Sequence, residues 1–301
     1  MNAMKRIFVI AVLLLGWYAC RAQDAADSVR FRNPSKWKTV RSGDGISVRK
    51  FRTKCRKAET YLFSVPQAVY VMEVDPSVCR IVPVQDEKQR TVGSLVRSRD
   101  ALAGVNGGFF VVHPEPKGTA VANDFLKIGG RVVSPVPTPG WGDAAVGFDR
   151  NGIPHFTSWN KAMDTDTLAG WSAEFPDVMV AGPMIIRDGR SLHEWTDTDK
   201  CSLAEQQKRN LYAPRTAIGI RGDSTVVLVV IDGRRPRAFG ASFSEMAAVG
   251  RWLGLTQMLN LDGGGSSTMI SGRRLVNFPS DGFGILPIER RVANAWLVLP
   301  R

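Results

Sequence analysis

Histidine is nearly missing from this chain: His113, His155 and His193 are the only three in 301 residues, and none is spaced with another histidine or a cysteine as a metal site requires. A zinc centre and a Ser-His-Asp triad both depend on imidazole, so neither is supported. Cysteine is almost as scarce, with four residues whose spacing matches no metal or redox motif. No stretch reaches the roughly 20 apolar residues of a spanning helix. The triple glycine at 263–265 is followed by no lysine and no amphipathic helix, which excludes a Walker loop. There is no internal repeat and no low-complexity tract.

What is present begins with an address. Lys5 and Arg6 precede the apolar run Ile7 to Leu15, and Ala22-Gln23 offers a cleavage point, so residues 1–22 read as a secretory signal peptide. Cys20 raises a lipoprotein alternative, against which Trp17 is a poor residue three positions earlier. Cleavage removes Lys5, Arg6 and Arg21 and lowers the formal charge from +12 to +9. The expected location is periplasmic, cell-surface or secreted. A basic protein there suits polyanionic partners such as phosphate-bearing glycans. Cys55, Cys79 and Cys201 remain; one pair could bridge in an oxidising compartment, and sequence does not choose which.

Hydrophobic residues make up 44% and aromatics 9%, enough for a proper core. Residues 23–60 read as an N-terminal strand extension and 61–301 as the main domain. The expected fold is α+β: a mixed β-sheet core, a few packed helices, and a surface cavity lined by glycine-rich strand ends. Strands are expected at Ala68–Val74, Cys79–Val84, Thr225–Ile231, Gln257–Leu261 and Val292–Leu299. Helices are expected at Ser94–Ala103 and Phe243–Leu253, with hairpins at Gly129-Gly130 and Asn151-Gly152. Ser191–Tyr212 is long for a connection and reads as a lid. Trp159 and Trp171 read as packing plugs, with sugar stacking as the alternative.

Asn260 to Met269 is the least scaffold-like stretch. Gly263, Gly264 and Gly265 interrupt a sheet, which a chain accepts where φ must be positive or something must approach the backbone. Asp262 sits at the lip, and the following N–H groups with the hydroxyls of Ser266, Ser267 and Thr268 would form an anion-binding nest. Asn106-Gly107-Gly108 repeats the glycine signal. Asp232 ends a β-branched strand, and Arg215 lies just before another. Glu245 fits a capping box with Ser242, a structural role weighed evenly against an active-site one. Carboxylate, arginine, amide and glycine at strand ends suit glycosyl transfer at a phosphate-bearing sugar. No cofactor is expected; a divalent ion at Asp262 and Asp232 has no metal-loop spacing behind it. Nucleic-acid binding is not expected, since recognition motifs are missing. Oligomeric state is not legible.

In order along the chain, Asn106-Gly107-Gly108-Phe109-Phe110, Gly182-Pro183, Pro214-Arg215-Thr216-Ala217, Asp232-Gly233 and Leu261-Asp262-Gly263-Gly264-Gly265-Ser266 resemble the phosphodiester glycosidase family. The resemblance covers Tyr61 to the C-terminus. It implies hydrolysis of a sugar-1-phosphodiester, typically N-acetylglucosamine linked through phosphate to another sugar, with release of the free sugar and a phosphomonoester. It also implies that Asn106, Arg215, Asp262 and the neighbouring glycines share one cavity. The roles expected are catalysis by Asp262 with Glu245 or Asp232, and substrate or phosphate binding by Asn106, Gly107, Gly108, Arg215, Thr216, Gly263, Gly264, Gly265 and Ser266. The rival reading is a non-catalytic binder of anionic envelope glycans.

Overall fold

The computed structural model describes residues 26–54, 65–135, 142–158, 165–191, 212–282 and 285–301. The signal peptide, Cys20, Cys55, Cys201, Trp159, His193 and the interior of the Ser191–Tyr212 loop lie outside the described residues. Strands form where β-branched and aromatic residues run together. The first sheet takes β1 (Trp37–Gly43), β2 (Ile46–Arg52), β3 (Ala68–Val74), β11 (Met184–Arg187), β12 (Arg190–Ser191), β13 (Arg215–Arg221), β14 (Val226–Ile231) and β15 (Leu255–Asn260). Across this sheet the order is β1-β2-β3-β14-β13-β15-β11-β12. The second sheet orders β17 (Arg274–Leu275), β16 (Met269–Ser271), β5 (Ala103–Asn106), β18 (Val292–Pro300) and β4 (Cys79–Arg90). The third orders β7 (Arg131–Ser134), β6 (Leu126–Ile128), β10 (Asp177–Ala181), β8 (Ala144–Phe148) and β9 (Pro154–Ser158).

Every ladder between these strands is antiparallel, which corrects the expected mixed sheet. Short hairpins dominate, and they cannot return a strand in parallel. β14 is buried at all six positions, and its run of valine, leucine and isoleucine fits a strand covered on both faces. One face packs Tyr70, Met72, Leu228 and Leu259 against Trp296 and Val105 of the second sheet and Phe148 and Met179 of the third. The other face packs Val69, Val71, Val227 and Val229 under α4 (Phe243–Trp252), through Met246, Val249 and Trp252, and under Phe31 of α1 (residues 26–32). Each such side chain contributes about 1.5–3 kcal/mol of transfer free energy.

Two boundaries differ from expectation for local reasons. The helix expected at Ser94–Ala103 is α2 (Val92–Ser98), capped by Thr91 and stopped before Asp100, whose φ is +49°. Ala103 then opens β5 between β16 and β18. β4 runs six residues beyond Val84 because Gln85 and Arg90 keep pairing with β18. Its Pro83 is tolerated because β4 is an edge strand. α3 (Thr165–Ala173) brings Trp171 onto Phe175 at 4.8 Å between ring centroids, so this tryptophan packs on the scaffold.

Candidate active site

The chain leaves the first sheet at the end of β15 and re-enters the second at β16, so residues 261–268 cross from one sheet to the other. Asn106, at the end of β5, holds this crossing from beneath. Its Nδ2 donates to Asp262 O at 2.7 Å, while its Oδ1 accepts from Thr216 Oγ1 at 2.8 Å and from Thr268 N at 3.1 Å. Asp262 N donates to Gly107 O at 3.0 Å, so both backbone groups of Asp262 are clamped by the Asn106-Gly107 pair. Leu261 N donates to Thr216 O at 2.8 Å and Gly264 N to Pro214 O at 2.9 Å, which tie the same crossing to β13. Asn106 and Thr216 are fully buried. They position Asp262 and offer no free group to a substrate, unlike the binding roles expected for them.

The glycines serve close approach. A Cβ on Gly107 would lie 2.1 Å from Asn294 Oδ1, and one on Gly265 would lie 2.5 Å from both Asp281 Oδ1 and a terminal guanidinium nitrogen of Arg290. Both overlaps force a neighbour to shift; at Gly265 the obstructing atoms are the ends of flexible side chains, so a side chain there would displace the Asp281–Arg290 pair. Gly108 donates its N–H to Met179 Sδ at 3.0 Å inside the core. The expected row of N–H groups open to an anion is not formed. Gly263 N turns to Asp262 Oδ1 at 2.9 Å, Ser266 N to Gly263 O at 3.2 Å and Ser267 N to Gly264 O at 3.3 Å.

Positive charge comes from side chains instead. A cavity of about 440 Å³ is lined by Arg234, Ser280, Asp281 and Arg290. Arg290 Nε donates to Asp281 Oδ1 at 2.7 Å. Gly264 faces the guanidinium of Arg234, with an ideal Cβ 3.0 Å from it. Burial pushes the Asp262 carboxyl up to about 6, against the opposing pull of the Ser266 hydroxyl, the Gly263 N–H and the Arg290 charge. A carboxyl that changes charge near neutrality, within reach of the Arg290 charge, is equipped for acid-base or nucleophilic work.

The other two expected catalytic carboxylates are occupied elsewhere. Asp232, 1% exposed, accepts from Tyr70 Oη at 3.0 Å, Arg235 at 2.7 Å, Asn277 Nδ2 at 3.1 Å and Phe278 N at 2.9 Å. Four donors surround its two oxygens. Among the described residues no group of three or more metal-ligating side chains converges. Glu245 completes the capping box of α4: Ser242 N donates to Glu245 Oε2 at 2.8 Å, and Glu245 N to Ser242 Oγ at 3.2 Å. Burial raises its carboxyl, and its bonds to Ser242, a bond to Tyr212 and the charge of Arg215 oppose that. Arg215 is stacked over Phe243 at 4.1 Å, and its Nε donates to Ala241 O at 2.9 Å. Burial and the neighbouring Arg234 charge lower it to about 10, with Glu245 opposing.

Of the expected site residues, then, Gly264 faces Arg234 and Gly265 faces Asp281 and Arg290 of the cavity lining, the Arg290 charge reaches Asp262, Asn106, Gly107 and Thr216 hold the crossing from below, and Asp232 and Glu245 are bonded within the scaffold. Sequence reasoning missed Ser280, Asp281 and Arg290, which sit in a Pro/Gly loop with no motif of their own, and it left Arg234 as one of three arginines in a loop.

Residues 99–299, well over half of the chain, match the family described as phosphodiester glycosidase. The chain belongs to that family. It is 27% identical over 202 residues to the bovine N-acetylglucosamine-1-phosphodiester alpha-N-acetylglucosaminidase, covering 65% of this chain and 36% of that protein. The human protein of the same name is likewise 27% identical, over 64% of this chain and 36% of its own length. The chain therefore spans about a third of the length of these relatives. A prophage-derived uncharacterized protein of Bacillus subtilis is 30% identical over 139 residues, 45% of this chain and 19% of that one. Among solved structures, the catalytic domain of the zebrafish enzyme of the same name, auto-inhibited by its pro-peptide, superposes with a TM-score of 0.66 at 17% identity, covering 94% of this chain and 93% of that one. A putative exported protein of Burkholderia pseudomallei gives 0.57 at 19% identity, over 78% and 74%. At these identities the structural likenesses speak to the fold.

Proposed function

We propose that this protein hydrolyses sugar-1-phosphodiesters, such as N-acetylglucosamine-1-phospho-sugars, to a free sugar and a phosphomonoester. The observation that carries the reading is the placement of Asp262, clamped at both backbone groups, at the head of the glycine turn whose Gly264 and Gly265 face Arg234, Asp281 and Arg290 of the cavity, with the Arg290 charge acting on its carboxyl. The two arginines would hold the phosphate, whose negative charge grows as the bond to the anomeric carbon breaks. Asp262, ionised, would face that carbon and stabilise its developing positive charge or bond to it. Asp281 becomes the second carboxylate in place of Glu245 or Asp232, because its oxygens reach the cavity. It would take the proton of the water whose oxygen joins the sugar. With an acetamido substrate, the substrate's own carbonyl would attack and Asp262 would orient it. The names of the bovine, human and zebrafish relatives support this substrate class.

Export also belongs to this reading. The N-terminal charge and apolar pattern supports it, and no helix among the described residues is long and apolar enough to cross a membrane.

The test is hydrolysis of an N-acetylglucosamine-1-phospho-sugar in oxygen-18 water, with products identified by mass spectrometry. Label in the free sugar and none in the phosphate is the expected result. Label in the phosphate would mean phosphorus-oxygen cleavage and overturn the glycosidase reading, and binding without product would favour the glycan binder.

A further inference from the structure

Arg234 lines a second cleft as well as the polar cavity. This cleft, about 550 Å³, is walled by Val65, Pro66, Arg234, Arg235, Pro236 and Phe239. Its floor is built by a tight hairpin in which Arg235 N donates to Ala238 O at 3.1 Å and Ala238 N returns to Arg235 O at 3.0 Å. Phe239 is pinned on both sides, its N–H to Pro66 O at 3.0 Å and its carbonyl to Arg234 N at 3.2 Å. The backbone is held, yet the ring is left 47% exposed. Arg235 turns its guanidinium away, onto Asp232 and over the Phe278 ring at 4.0 Å. The cleft thus offers one outward cation at its inner end and an apolar surface beyond it.

A phosphodiester has two ester arms. With its phosphate at Arg234 and its sugar toward Asp262 and Asp281, the other arm leaves across Phe239, Pro236, Pro66 and Val65. A second sugar there would bring several hydroxyls to walls whose side chains carry no donor or acceptor apart from the two arginines, one of them already engaged. An apolar arm would bury the exposed ring and cover it from water. Resting on the proposed phosphodiester glycosidase reading, we infer that this cleft is a leaving-alcohol subsite, and that the protein's substrates are sugar-1-phosphodiesters of apolar alcohols, alkyl or isoprenoid in kind.

The experiment compares kcat/KM of the full protein on three diesters of N-acetylglucosamine 1-phosphate, with methanol, n-octanol and the 6-hydroxyl of a hexose. The octyl diester should exceed the methyl one by at least about tenfold, mostly through KM. Phe239→Ser, and separately Val65→Ser in case the first variant does not fold, should bring the octyl-to-methyl ratio down toward one. An octyl diester no better than the methyl one, or a hexosyl diester preferred over the octyl one, would overturn the inference. Calorimetric binding of octyl phosphate and methyl phosphate separates this from the reading it rests on, since neither compound has a glycosidic bond. Octyl phosphate binding about tenfold tighter, lost in Phe239→Ser, sustains the cleft even if no diester is hydrolysed. Equal affinities sink it even if diesters are turned over.

Discussion

Asp232 and Asp262 both follow strands, both are followed by glycine, and both are raised by burial, yet they lie in opposite kinds of surroundings. Asp232 is sealed among Tyr70, Arg235, Asn277 and the Phe278 N–H, with every oxygen lone pair facing a fixed donor. Asp262 keeps partial solvent access at the edge of a crossing loop, with its own Gly263 N–H and the Ser266 hydroxyl as near partners and Arg290 as a more distant charge. A satisfied buried carboxylate rigidifies a fold; an under-satisfied one beside a cavity remains available to react. The comparison teaches that a carboxylate at a strand end is assigned by counting the donors around it, not by the glycine beside it.

The largest effect that would break the comparison is on turnover. Asp262→Asn should lower kcat on a sugar-1-phosphodiester by at least about a thousandfold, as loss of a reacting group does, while circular dichroism stays that of the native fold. Stability should move the other way. Because the native carboxyl titrates near 6 against 3.8 in its ordinary state, the folded protein keeps a proton that the unfolded chain releases between those values. Stability therefore falls as pH rises through that window and stays lower above it. Removing the charge should make the Asn variant more stable than wild type at pH 7, by about 1–2 kcal/mol after allowance for solvent screening, with no difference near pH 3. Chemical denaturation at the two pH values reads this directly.

Asp232→Ala should act on stability first, costing about 3–5 kcal/mol by removing the ion-pair partner of Arg235 and the acceptor of Tyr70, the Phe278 N–H and one Asn277 N–H in a buried place. Urea melts measure it. A variant as stable as wild type would remove the scaffold role. Glu245→Ala should cost only about 1 kcal/mol, the usual loss of a helix cap, and should shift the midpoint of the same melts slightly. A thousandfold loss of activity in Glu245→Ala with the fold intact would reverse its assignment relative to Asp262.

The strands themselves were legible because their side chains announce them. Ala68–Val74 is found as expected, and Val226–Ile231 begins one residue later than expected. The Ser242 capping box was equally local, and it formed. What could not be read was pairing. The meeting of β5 with β16 and β18 joins residues 164 to 195 positions apart, and only that meeting sets Asn106 beneath Asp262. The same non-local register brings Asp281 and Arg290 over Gly265. Arg215 was expected to bind phosphate, but its stacking on Phe243 and its bond to Ala241 O depend on where α4 lies and had no sequence signal.

The most direct test of the account is the pH dependence of kcat/KM on one sugar-1-phosphodiester for wild type and Glu245→Gln. If ionised Asp262 is the working group, the rate should fall about tenfold per pH unit below a midpoint near 6 in both proteins. A profile that stays flat through pH 6, or a midpoint that moves when Glu245 is neutralised, would contradict it.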